Sequence, residues 1–152
     1  MAKSTIKASK SSIKPGESNT ITITRSSSSY THTIKYTVGK LSGTVATKTT
    51  STSVKVTVPL DAITQSPNKS QTCTITCTTY SGSTSLGSST CTFAVAPYSP
   101  SYIIAFGIGT GAYLGSELNV NIDKENSNFT STLIYSFEGS PTTTVANKSS
   151  DT

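Results

Sequence analysis

Apolar and polar residues alternate at every second position over much of the chain, which is the spacing of half-buried strands and not of helices. Thr20-Ile21-Thr22-Ile23-Thr24 sets two isoleucines on one face and threonines on the other. Tyr30, His32, Ile34, Tyr36 and Val38 alternate with Thr31, Thr33, Lys35 and Thr37, the clearest run in the sequence. Val54, Val56 and Val58 make a third run, ended by Pro59, which cannot donate a ladder hydrogen bond. Cys73, Ile75 and Cys77 line a fourth, and Cys91, Phe93 and Val95 a fifth. Weaker strands fit residues 4–8 and 44–48. Turn signals separate them: Pro15-Gly16, the serines of 26–29, residues 39–43, and 81–85 around Gly82.

Seven short strands in about 95 residues, each apolar on one side, need a second sheet to bury that side. The pattern predicts an immunoglobulin-like or fibronectin-III-like sandwich over residues 1–96. Residues 60–70, with Asp61, Pro67 and Asn68, form the longest connection and fit a helical turn crossing between sheets. The disulfide and core tryptophan of antibody domains are missing, so this expectation concerns architecture alone.

Residues 97–101, with Pro97 and Pro100, read as a linker. Beyond it the first pattern returns, shifted by 99 residues: Tyr30 to Val38 aligns with Phe129 to Phe137, and Ile21 and Ile23 with Val120 and Ile122. After one inserted residue, Ala46 to Thr50 aligns with Ala146 to Ser150. Inward positions keep their character while outward ones vary, as a duplicated fold requires. The expected fold is therefore all-β: tandem immunoglobulin-like (fibronectin-III-like) β-sandwiches, with residues 102–152 a second, incomplete copy. Its missing strands imply either a piece of a longer array or completion by a partner.

Composition supports the strand reading. Serine and threonine supply about three-eighths of the residues, against 33% hydrophobic and 12% charged. No stretch approaches the ~18 apolar residues of a membrane helix, so no membrane insertion is expected. Met1-Ala2-Lys3-Ser4 has no apolar signal region, so Sec-type secretion from this start codon is not expected. The +5 balance is uneven: residues 1–96 carry +8 and residues 97–152 carry −3. Nearly all the basic residues of the first part are scattered lysines, which suit the protection of sheet edges better than nucleic acid binding.

Few residues carry chemistry. His32, the single histidine, falls on the inward face of the strongest strand, as a packed core residue does. If residues 81–85 form a hairpin, Cys91 lies opposite Ile75 and diagonal to Cys73 and Cys77, a poor placement for a disulfide. Reduced, buried thiols follow. There is no Gly-x-Ser-x-Gly elbow, and Glu17 and Asp61 are the only acids of residues 1–96. Phe106-Gly107-Ile108-Gly109-Thr110-Gly111 lacks the helix and Lys-Ser/Thr of a phosphate loop and reads as strand and turn. No catalytic residue, cofactor or metal site is expected, and the chain is read as no enzyme. Tyr80, Tyr98, Tyr102 and Tyr113 lie near turns or the linker and are the candidates for surface contact with carbohydrate or protein. Tyr30, Tyr36 and Tyr135 read as core.

The runs Ser28-Ser29-Tyr30-Thr31-His32-Thr33-Ile34-Lys35-Tyr36, Ser42-Gly43-Thr44-Val45-Ala46-Thr47, Val58-Pro59-Leu60-Asp61 and Thr79-Tyr80-Ser81-Gly82-Ser83 carry a resemblance. They resemble the tail-associated or minor structural proteins of siphophages with Gram-positive hosts. The resemblance covers most of residues 1–96 and, more weakly, the second repeat. It implies immunoglobulin-like repeats on the virion, in tail, baseplate or fibre. Other tail proteins are then the partners, with homo-oligomers in the particle and weak contact with host cell-wall carbohydrate. The alternative expectation is a carbohydrate-binding or adhesin module of a larger cell-surface or cell-wall-active protein.

Overall fold

The computed structural model describes residues 2–99, 102–106, 119–135 and 143–148. The chain divides into two compact units, Met1–Pro97 and Tyr98–Thr152. In chain order the first holds β1 (Thr5–Ala8), β2 (Ser12–Ile13), β3 (Ser18–Thr24), β4 (Tyr30–Val38), β5 (Leu41–Thr49), β6 (Ser53–Thr57), the short helix α1 (Ala62–Gln65), β7 (Gln71–Ser81) and β8 (Thr84–Val95). The second holds β9 (Tyr102–Phe106), β10 (Asn119–Asp123), β11 (Ser131–Tyr135) and β12 (Thr143–Lys148). The all-β expectation is met.

Two sheets build the first unit, with orders β1-β3-β6 and β2-β8-β7-β4-β5. Every pairing is antiparallel except that of β2 with β8. Alternation decides which side chains go in. Ile21 and Ile23 of β3 and Val56 of β6 form one buried cluster with Ile34 and Val38 of β4, Cys73, Ile75 and Cys77 of β7, and Phe93 and Val95 of β8. Each large aliphatic chain buried there stabilises by about 1.5–3 kcal/mol relative to exposure. The opposite parity is hydroxylated: Thr31 and Thr33 of β4 and Thr74, Thr76 and Thr78 of β7 all stay partly open to solvent.

The hairpin at 81–85 forms as expected. Ser81 pairs with Thr84, Gly82 takes the positive φ of 58° at the turn, and Cys91 falls opposite Ile75. The turn expected within 60–70 is α1, which seats the buried Ala62 as the chain passes from β6 in one sheet to β7 in the other. Two side-chain amides hold it: Gln71 Nε2 donates to the Ala62 carbonyl at 2.7 Å, and Gln65 Oε1 accepts from the Lys40 amide at 2.6 Å.

One strand was absent from the expectation. β2 has two residues, too few to show a period, and it forms because the chain leaves the three-stranded sheet after Ala8 and joins β8. Asn19 organises that crossing. Buried on β3, its Oδ1 accepts from Ser9 Oγ at 2.8 Å and the Lys10 amide at 3.0 Å, while Nδ2 donates to the Lys10 carbonyl at 2.8 Å.

In the second unit β9 pairs with β10 and β11 with β12, both antiparallel. Ile103 opposes Ile122 and Ala105 opposes Val120, as Ile6 opposes Ile23 and Ala8 opposes Ile21 in the first unit. A register irregularity falls between Ser131 and Leu133, and its counterpart lies between His32 and Ile34. Tyr102, expected near the linker or a turn, is the first residue of β9.

Candidate functional site

Of the four candidate tyrosines, Tyr80 and Tyr98 stand in different environments. Tyr80 stands on the outward parity of β7, opposite Thr31 of β4 and beside the hairpin tip. One face of its ring is occupied: Lys48 Nζ lies 3.3 Å from the ring centroid and 3.4 Å from the Gly82 carbonyl. Lys48 makes this contact from a backbone φ of 51°, which side-chain-bearing residues seldom adopt. The Lys48 amide bonds Thr33 Oγ1 at 3.3 Å, where β5 departs from regular pairing with β4. A cation over an aromatic face contributes roughly 0.5–1 kcal/mol at an exposed site.

Tyr98 belongs to the second unit. Its ring meets Phe129 edge to face at 5.1 Å and 86°, and its hydroxyl accepts from Asn126 Nδ2 at 3.0 Å. Half-buried and doubly engaged, it is a packing residue with a polar end. Tyr102 is placed by its backbone opposite Asp123, and Tyr113 lies outside the described residues.

A second arrangement escaped sequence reasoning. Ser4 Oγ and His32 Nε2 are 2.9 Å apart, the spacing of an activated nucleophile and its base. Ser4 is 1% exposed and His32 is fully buried, so neither atom can be reached by a substrate. Among the described residues no carboxylate orients the ring, and Nδ1 makes no hydrogen bond of normal geometry. Burial holds the imidazole below its ordinary pKa, the Arg25 guanidinium adds to that, and the Thr49 backbone opposes both. The contact is therefore structural. The inward position of His32 was legible in the alternation, whereas nothing in the sequence marked Ser4 as its partner.

Environment disfavours the thiolate at all three cysteines. Burial, with Cys91 nearby, pushes Cys73 and Cys77 up to about 11, and burial also raises Cys91. All three are free. Among the described residues no group of three or more His, Cys, Asp or Glu is placed to hold a metal, and no helix is long and apolar enough to cross a membrane.

An open concavity of about 460 Å³ is lined by Ile23, Thr24, Arg25, Ser26, Ser27, Ser28 and Thr52. Arg25 is oriented there by its Nη1, which donates to the carbonyls of Tyr30 and Thr50 at 3.2 and 2.8 Å, and it keeps its positive charge. The result is a hollow lined by hydroxyls around one cation, suited to weak polar contact.

No curated protein and no solved structure matches the chain. A family model does match, over residues 2–103, which include all eight strands of the first unit. That model describes a siphovirus protein of unknown function (DUF859), and the chain belongs to this siphovirus family.

Proposed function

We propose that this chain is a non-enzymatic structural protein of the siphovirus virion, built of immunoglobulin-like modules and carried in tail, baseplate or fibre. The observation that carries the reading is the strand order of the first unit. An immunoglobulin-like sandwich sets strands A, B and E in one sheet and C, F and G in the other, with C′ beside C in the variable type. Here β1, β3 and β6 take the places of A, B and E, while β5, β4, β7 and β8 take those of C′, C, F and G. Gln71, two residues before Cys73, ties the chain back to Ala62, a task that a corner tyrosine performs in such folds. The matched registers of β9–β10 and β1–β3 favour a second module of the same plan.

A buried Ser–His contact, raised thiol pKa values and a shallow hydroxylated hollow suit a scaffold better than a reaction centre. The partners in this reading are neighbouring tail proteins and further copies of the chain. Contact with carbohydrate of a Gram-positive cell wall is weak at each site and gains from repetition around the particle. Cryo-electron microscopy or immunogold labelling of intact virions tests the proposal, with density or label on the tail expected. A protein found only in infected cells and never on particles overturns it. Saturable glycan binding by the isolated protein, abolished by Tyr80→Ala, would replace it with the carbohydrate-binding reading.

A further inference from the structure

Ser4, which precedes β1, commits every polar group it has to the opposite sheet. Its amide donates to Thr79 Oγ1 on β7 at 3.1 Å. Its carbonyl accepts from Ser89 Oγ on β8 at 2.6 Å. Its hydroxyl meets His32 Nε2 on β4 at 2.9 Å. Thr79, like Ser4 and His32, is buried. β1 itself is an edge strand, hydrogen-bonded only to β3 within its sheet. The Ser4 cluster is thus what clamps that edge strand across the core.

We propose that the Ser4–His32 contact is an acid-sensitive latch: protonation of the buried imidazole releases the segment leading into β1 from the five-stranded sheet. The proton goes to an imidazole nitrogen, so both ring nitrogens become donors. Nε2 must then donate to Ser4 Oγ, and Nδ1–H has no full acceptor. Among the described residues the new charge has no counter-ion. The groups around the ring are Ser4, Thr79 on β7, Thr49 on β5 and the cation Arg25 ahead of β4. The acids of the first unit lie elsewhere: Glu17 binds the Lys14 amide, and Asp61 precedes α1. A charge buried beside a cation with no carboxylate is relieved by opening the site to water.

The sign of the pH dependence follows. The folded imidazole binds its proton less readily than the unfolded one, so the neutral ring's contribution is fully present above the ordinary histidine value of about 6.5. It is lost as pH falls from there through the lowered folded value. One proton taken up on opening weakens protection by about tenfold per pH unit across that window.

Amide hydrogen exchange on the full chain between pH 7.5 and 5, corrected for intrinsic rates, reads this directly. Amides of residues 4–9 should lose protection steeply below about pH 6.5, well before those of Ile23 and Ile75. The imidazole carbon signal of the lone histidine should titrate over the same range, and His32→Gln, which retains a polar terminus for Ser4 without the charge, should flatten the profile. Equal loss in all strands, or no loss at all near β1, overturns the latch. So does a wild-type profile that persists in His32→Gln. Should that variant fail to fold, the histidine signal of the native protein decides, because a midpoint unrelated to the loss of protection also overturns it.

Discussion

Asn19→Ala should cost the first unit more than most threonine or serine changes. The native amide makes three hydrogen bonds, to Ser9 Oγ, the Lys10 amide and the Lys10 carbonyl, from a side chain that is 1% exposed. A net hydrogen bond is worth about 1 kcal/mol, and a buried backbone group left unpaired costs about 1–3 kcal/mol. Ser9 and Lys10 sit partly in water and recover some of this, so the expected loss is about 2–4 kcal/mol. With a urea dependence of about 1.5 kcal/mol per molar, the midpoint falls by roughly 2 M. Tyrosine fluorescence of the full chain in urea measures it. Asn19→Asp separates hydrogen bonding from packing, since it keeps the acceptor for Ser9 and Lys10 but turns a second oxygen on the Lys10 carbonyl. It should fall at least as far at neutral pH and recover partly in acid. A midpoint for Asn19→Ala within about 0.3 M of wild type, equivalent to about 0.5 kcal/mol, would refute the claim that this side chain directs the crossing from β1 to β2.

Three more perturbations test other joints. Cys73 and Cys77, held at about 11 instead of 9, expose about a hundredfold less thiolate at pH 8, so iodoacetamide should label them only above the urea transition. Rapid labelling of the native protein would contradict their placement. A Cβ at Gly43 would stand 2.6 Å from Tyr36 Cε1, so Gly43→Ala should lower stability by about 1–3 kcal/mol, and adding Tyr36→Ala should remove the clash though not the lost packing. A double-mutant cycle in urea without coupling would reject this. At Lys48 the left-handed backbone favours glycine while the ammonium–ring contact favours lysine. Lys48→Gly should therefore lie close to wild type and Lys48→Ala about 1 kcal/mol below Lys48→Gly, an order that thermal melting can invert or uphold.

The parts of the fold that follow from local alternation were legible. Tyr30 to Val38 is β4 to the residue, His32 points inward, and the hairpin register sets Cys91 against Ile75. What stayed hidden depends on partners distant along the chain. Ser4 reads as one more polar residue at the start of a weak strand until Thr79 and Ser89 are brought to it across 75 and 85 residues. Asn19 carried a faint signal, a polar side chain on the same parity as Ile21 and Ile23, but parity alone does not say what satisfies it. Lys48 lies in a strand whose pattern is blurred by irregular pairing, so its reach to Tyr80 had no periodic trace. For the tyrosines the sequence offered position alone: proximity to a turn does not say that Lys48 stands over the ring of Tyr80 or that Phe129 meets that of Tyr98.

The parallel union of β2 with β8 has a mechanical meaning. Both run the same way, one near the start of the first unit and the other at its end, so tension along the chain drags them in opposite directions. The load falls lengthwise on the bonds from the Ala94 amide to the Ser11 carbonyl and from the Ala96 amide to the Ile13 carbonyl, at 2.9 and 2.8 Å. Bonds strained in this manner must give way together, whereas a hairpin pulled at its open end unzips singly. A pair of residues too short to show in the sequence thus becomes the place where this unit resists stretching, and single-molecule extension with Ile13→Pro would reveal it as a drop in rupture force.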